Sequence, residues 1–226
     1  MHQFNWSDIL TQWPTLMTGA KITLQITVLA IVVGIIWGTV LALFRLSGVK
    51  PLQWFASAYV TLFRSIPLVM VLLWFFLIVP QLLQNVLGLS ADIDIRLASA
   101  MVAFSLFEAA YYSEIIRAGI QAVPHGQLEA AAALALSRAE AFRHVVLRPA
   151  LAKVWPALSS QIIIVMLGSA VCSQIATQEL SFAANFIQSR NFRAFETYLV
   201  TTLLYLLMAI LVRWGLAWPG WAGGCS

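Results

Sequence analysis

At 226 residues the chain is 61% hydrophobic and only 10% charged, with a mean hydropathy of +0.87. A soluble domain carries about a quarter charged residues, so this composition reads as an integral membrane protein and excludes an ordinary soluble enzyme. The net charge of +4 comes from Lys and Arg scattered between apolar runs, which is not the footprint of a nucleic-acid binder.

The start, "MHQFNWSDILTQW", lacks the basic segment of a signal peptide, so the first apolar run is expected to be retained. That run covers residues 19–44 and contains "GIIWG", in which Gly34 and Gly38 form a GxxxG pair suited to close helix packing. The second, 54–79, is interrupted at "FRSIP" by Arg64 and Pro67, which predicts a bent helix. The third, 97–116, holds Glu108 with Tyr111 and Tyr112 nearby on the helix surface. The fourth, 155–176, is polar for a span, with Gln161 and Gln174 followed by Thr177 and Gln178. The fifth is 198–216. A crossing helix needs roughly 20 apolar residues, and these runs are continuous rather than alternating, unlike the strands of a barrel. The expected fold is all-α: one polytopic membrane domain, 1–226, with about five transmembrane helices. Cys172 in an apolar run and Cys225 near the end argue against a disulfide framework.

Orientation follows from the Lys/Arg bias. One set of connections holds Arg45, Lys50, Arg117, Arg138, Arg143, Arg148, Lys153 and Arg213. The other holds Lys21, Arg96, Arg190 and Arg193, accompanied by Asp92, Asp94, Glu179 and Glu196. The first set is expected to be cytoplasmic, with the N-terminus outside and the C-terminus inside.

This places "GQLEAAAALALSRAEAFRHVVLRPA", residues 126–150, in the cytoplasm. Residues 127–136 are rich in Ala and Leu and predict a short helix. "SRAE" then forms a capping box, with Ser137 and Glu140 bonding reciprocally to start a second helix. Phe142, Val145, Val146 and Pro149 fall on one side of it, away from Arg138, His144 and Arg148. Such a pair can lie on lipid headgroups. The small side chains of 127–135 give a weak apolar face, better suited to docking in a protein groove.

This stretch resembles the EAA loop of the permease subunits of ABC importers, with Glu129, Ala130 and Ala131 as its Glu-Ala-Ala. "EAAYY" at 108–112 is a false match, because it lies inside the third apolar run. "TLQITVLAIVVGIIWGTVLALFRLS", "TLFRSIPLVMVLLWFFLIVP" and "FEAAYYSEIIRAGIQAVPHGQ" resemble polar amino-acid permeases, in particular the membrane subunits of glutamate/aspartate importers. That likeness covers roughly residues 5–150, and "SRNFRAFETYLV" fits the broader family. The resemblance implies a type I ABC importer permease fold in a bacterial inner membrane. It also implies a coupling loop at about 122–150, in which Gly126, Gln127, Glu129, Ala130, Ala131, Leu134, Ala135 and Ser137 engage an ATPase. Its partners would be two ATPase subunits that hold ATP and Mg, a second permease chain (identical or homologous) and an external solute-binding protein, besides the lipid bilayer.

Four departures stand out. The family's Gly six residues after the Glu is here Ala135, which costs about 1 kcal/mol or more if the backbone needs positive φ. The family's late proline is displaced by one, with Arg148 before Pro149. The fourth run reads "LGSAV" at 167–171 where polar amino-acid permeases often have Lys-Asp-Thr-Ser-Leu. The tail "WPGWAGGCS" also lacks the family's basic ending.

The candidate pathway residues are Arg64, Glu108, Tyr111, Gln161 and Gln174. An ionised carboxylate at mid-helix costs about 2.5–3.5 kcal/mol, so Glu108 should face the bundle interior or water, in a pathway, gating or interhelical role. Arg64 would either attract a carboxylate substrate or snorkel to the inner headgroups. Glu114 and Arg117, three apart, suit a local ion pair. No G-x-x-x-x-G-K-[ST] phosphate loop occurs, and His2, His125 and His144 are isolated, so neither an ATPase nor a metal site is expected in this chain, nor any catalytic residue or cofactor of its own. Other readings are the same transporter class with another polar amino acid or derivative as its substrate, or an ATP-independent channel. A membrane enzyme would need convergent nucleophile, base or metal groups, and a mere scaffold leaves Glu108 and the polar fourth run without a use.

Overall fold

A computed structural model describes residues 6–87, 96–137 and 140–217. His2, Asp92, Asp94, Arg138, Cys225 and the tail 218–226 lie outside the described residues, as do the side chains of His125 and Arg148. The elements are α1 (Ser7–Thr11), α2 (Trp13–Leu46), α3 (Lys50–Ser65), α4 (Leu68–Leu87), α5 (Arg96–Gln121) and α6 (His125–Ala133). A π-helical segment (Ala141–Val146) leads into α7 (Leu147–Gly168), which tightens into a 3₁₀ segment (Ser169–Ile175) before α8 (Leu180–Asn191) and α9 (Ala194–Leu216).

The first apolar run is longer than expected. With Pro14 in its first turn, α2 begins at Trp13 and extends 34 residues, about 51 Å at 1.5 Å per residue. Gly34 and Gly38 serve packing inside this chain. A Cβ at Gly38 would stand 2.8 Å from the Ala109 carbonyl oxygen and 2.9 Å from the Ser113 nitrogen, and one at Gly34 would stand 3.0 Å from the Tyr112 ring. The absence of side chains there lets α2 and α5 approach backbone to backbone.

The second run, expected as one bent helix, is two helices at 103°. Proline disfavours the helical region for the residue before it, and Ile66 sits at φ −111°, ψ 136° ahead of Pro67. The corner is therefore far sharper than a proline kink. Ala56 clusters with Ala109, Tyr59 donates to the Leu106 carbonyl at 2.7 Å, and Arg64 reaches Glu114. From Ala56 to Arg64, α3 stays on the 106–114 stretch of α5.

By length and apolarity alone, Trp13–Leu46, Pro149–Ile175 and Ala194–Leu216 can cross a bilayer, and the α3–α4 pair makes a fourth candidate. The expected third run, now α5, falls short of that measure because Ser99, Ser105, Glu108, Ser113 and Glu114 dilute its apolar content. Four of these, all but Glu114, are buried. α5 packs against α2, α3, α4 and α7, so its polar groups meet protein rather than hydrocarbon. The main core joins these helices through Ile26, Leu72, Phe104, Tyr112, Leu158 and Val165. Large apolar side chains on the outside, such as Leu203, Leu207 and Leu211 of α9, are about half exposed, as suits a surface whose solvent is lipid.

α8 lies outside every expected run. Its first-turn donors, Ser181 N and Phe182 N, are accepted at 2.8 Å by the carboxylate of Glu179. Glu179 is fully buried, and it also accepts from Tyr205 Oη at 2.8 Å and Thr23 Oγ1 at 3.5 Å, tying α2, α8 and α9 together.

Candidate functional site

The loop singled out in the sequence is a protruding helix with defined ends. α6 starts just after Pro124 and closes earlier than expected, at Ala133. Gln127, Glu129, Ala130, Ala132, Ala133 and Leu134 are all exposed, Leu134 by 74%, whereas Ala131 is buried. Gly126 is exposed at its start, with open space where a Cβ would stand. Ala135 adopts φ 55°, the left-handed conformation in question at this position. Ala135 N donates to Ala132 O at 3.0 Å and Leu136 N to Ala131 O at 3.1 Å. These are the two bonds of a Schellman motif, usually built with Gly.

The capping box then forms. Ser137 N and Oγ donate to Glu140 Oε2 at 2.9 and 2.7 Å, and Glu140 N donates back to Ser137 Oγ at 3.3 Å. The expected separate second helix is not formed. From Glu140 the chain runs through the π segment into α7 with no break. A π turn inserts a residue and shifts the helical register, so the expected single face is not kept: Val146 is buried while Phe142 is 42% exposed. The base of the loop is fastened by Ile120, Val123, Val146 and Ala150, and by Lys153, whose Nζ donates to the Ala122 carbonyl. α6 is thus joined to α5 on one side and to α7 on the other.

A polar centre lies inside the bundle. Gln161 Nε2 of α7 donates to Glu108 Oε2 of α5 at 2.8 Å, bringing two of the sequence candidates together. Tyr112 is buried beside Glu108 on α5, its hydroxyl without a partner among the described residues. Tyr111 faces elsewhere, stacking with Phe107 at 5.3 Å and lying under the Arg64 guanidinium at 5.5 Å. Gln174 is exposed on the 3₁₀ segment, further along the chain from Gln161. Thr177 is buried and Gln178 exposed just beyond it.

Arg64 belongs to a second cluster. Glu114 accepts from Arg45 through Oε1 and from Arg117 Nε and Nη2 through Oε2, at 3.1 and 2.7 Å for the latter pair. Arg64 Nη1 stands 3.7 Å from Oε1. The local Glu114–Arg117 pair is readable from spacing. The contributions of Arg45 and Arg64 are not, because they come from other helices. Glu179 is likewise invisible as a site residue in the sequence: it counts there only as an orientation charge, since glutamate is not among the usual helix N-cap residues.

The description "Binding-protein-dependent transport system inner membrane component" belongs to the family model that matches residues 13–218. Glutamate/aspartate import permease protein GltK of Escherichia coli O6:H1 is 49% identical over 210 residues, covering 93% of this chain and 94% of the relative. Arginine transport system permease protein ArtQ of Bacillus subtilis is 33% identical over 208 residues, covering 92% of each. A crystal structure of an amino acid ABC transporter with histidines superposes with a TM-score of 0.83 at 32% identity, over 96% of this chain and 97% of that one. An inward-facing MetNI methionine ABC transporter shares the fold, with a TM-score of 0.71 at 21% identity over 90% and 93% of the two chains. The chain belongs to the family of binding-protein-dependent transport system inner membrane components, the permease subunits of ABC importers.

Proposed function

We propose that this chain carries glutamate and aspartate across a bacterial inner membrane, driven by ATP hydrolysed on separate subunits. The observation that carries the coupling half of this reading is α6: an exposed, small-residue helix rooted in α5 and continuous through its capping box with α7. Such a surface suits a cleft in a partner, and Ala130 and Leu134 stand ready to fill it. The 49% identity to a glutamate/aspartate import permease supports the substrate.

With the N-terminus outside, α2 descends to Arg45, α4 ascends, α5 returns, α7 ascends again, and α9 ends at the cytoplasm near Arg213. Gly126, Gln127, Glu129, Ala130, Ala131, Leu134, Ala135 and Ser137 form the coupling surface or shape it. ATP and Mg bind to the two ATPase subunits. When those close, they draw α6 with them, and α7 and α5 tilt as levers. A nucleotide shifts this equilibrium only in so far as the contacts at α6 differ between the inward-open and outward-open states. Two permease chains enclose the path, and an external binding protein delivers the substrate. Glu108 and Gln161, bonded across α5 and α7, act as a gate on that path, with Gln174 along its wall, while Tyr111 turns away toward Arg64. A carboxylate repels an acidic substrate, so Glu108 holds helices rather than cargo.

The test uses the whole complex in proteoliposomes. ATPase activity should rise with binding protein plus glutamate or aspartate, and Glu129→Lys should abolish uptake while the variant still inserts and assembles its bundle. Normal uptake by Glu129→Lys would remove the coupling role. Stimulation solely by a neutral or basic amino acid would reject the substrate.

A further inference from the structure

We infer that the corner between α3 and α4 holds the phosphate of an anionic phospholipid of the inner leaflet, with Arg64 as its principal ligand. Charge comes first. Three guanidinium groups, Arg45, Arg64 and Arg117, surround one carboxylate, Glu114, leaving two positive charges uncompensated within the cluster. The other acidic residues of the cytoplasmic side, Glu129 and Glu140, belong to the coupling loop.

Hydrogen-bond capacity singles out Arg64. Oε1 of Glu114 is engaged by Arg45, and Oε2 accepts a fork of two bonds from Arg117. Arg117 also donates to Gln121 Oε1 at 2.6 Å. Arg64, 3.7 Å from Glu114 and 47% exposed, is too far for a hydrogen bond and makes none with the described residues. Its donors remain open to an incoming group. The ring of Tyr111, 5.5 Å from the guanidinium carbon, steadies the group from one side. A planar, oriented guanidinium with free donors is matched to phosphate oxygens, which it grips by two parallel bonds.

The surroundings point to a lipid source for that phosphate. Arg45 ends α2, and the 103° corner brings Arg64 to the same level. α3 turns an apolar flank outward, with Trp54 77%, Phe55 46% and Leu62 56% exposed, next to Lys50 at its start. An exposed Trp beside basic residues at the end of a membrane helix marks headgroup depth, and anionic lipid attracts basic side chains there. Acyl chains would cover Trp54 and Leu62 while the phosphate meets Arg64. This inference rests on the orientation proposed above, not on the substrate.

The experiment is a lipid titration of the purified complex by native mass spectrometry, with phosphatidylglycerol and phosphatidylcholine of matched acyl chains. The wild type should favour phosphatidylglycerol. Arg64→Gln should weaken phosphatidylglycerol binding about fivefold and leave phosphatidylcholine unchanged. Glu114→Gln, which raises the local positive charge, should not weaken it. Arg64→Lys should retain part of the preference without the two-bond grip. Unchanged binding by Arg64→Gln overturns the site. Equal losses in Arg64→Gln and Glu114→Gln would mean the cluster is merely structural. Displacement of phosphatidylglycerol by millimolar inorganic phosphate would assign the pocket to a free anion instead. Because no transport is measured, failure here leaves the importer reading standing.

Discussion

Ala135 holds a backbone conformation that alanine resists. At φ 55° its Cβ crowds the neighbouring carbonyl, at a cost of roughly 1–2 kcal/mol. Glycine is free of that penalty but is more flexible when unfolded, so Ala135→Gly should stabilise the end of α6 by about 1 kcal/mol. Hydrogen exchange reads this directly: the amides of Ala135 and Leu136, which close the Schellman motif, should become better protected. Equal or weaker protection would show that the position is unstrained. Glu140, just beyond that bend, gives a pH signature. Its carboxyl is held below the ordinary carboxylate range by the Ser137 hydroxyl, then by the Ser137 backbone N–H. A carboxyl lowered on folding stabilises the folded form above its unfolded pKa, about 4.3, and loses that contribution as pH falls through the folded value. Protection factors of the Ser137 and Glu140 amides should therefore be constant near neutrality and decline below about pH 4. A Glu140→Gln variant should lack that decline.

Among elements, the α2–α5 contact is the least forgiving. Gly38→Ala places a methyl group 2.8–2.9 Å from backbone atoms of Ala109 and Ser113. Neither can rotate aside as a side chain does, so α2 must shift outward, costing about 1–3 kcal/mol as overpacking. A lower thermal midpoint of the detergent-purified chain checks this; an unchanged midpoint would mean the helices are more loosely apposed. The same elements show what sequence can and cannot convey. The capping box at Ser137 and Glu140 and the break before Pro67 are legible, because each depends on residues within one turn of chain, whereas the left-handed Ala135 is signalled only by the resemblance, whose family has Gly at that position. The 103° angle is not legible, since α5 rather than Pro67 decides where α3 lies. α8 escapes notice because it is 12 residues long, too short for a span, and is capped by an unusual residue. The polar content of α5 looks like a weak span in the sequence and is the mark of a central helix in the structure. The Glu108–Gln161 bond links positions 53 apart, and nothing local in either run announces the other.

At the scale of the molecule, the bundle places its charged and exposed parts in distinct layers. Glu179 and its donors knit one end, Glu108 and Gln161 join the middle, and Arg45, Arg64, Glu114 and Arg117 gather at the other, beside the loop. On the proposed function, α6 at the end of two core helices transmits motion because α5 and α7 share both the loop and the central polar bond. That arrangement makes α6 the part on which the transport reading depends. Site-directed crosslinking from cysteines placed at Ala130 and Leu134, in the assembled complex with and without nucleotide, tests it most directly. Both positions should join the nucleotide-hydrolysing subunit, with yields that change when nucleotide is added. Adducts with lipid, or labelling from the outer side of the membrane, would contradict it.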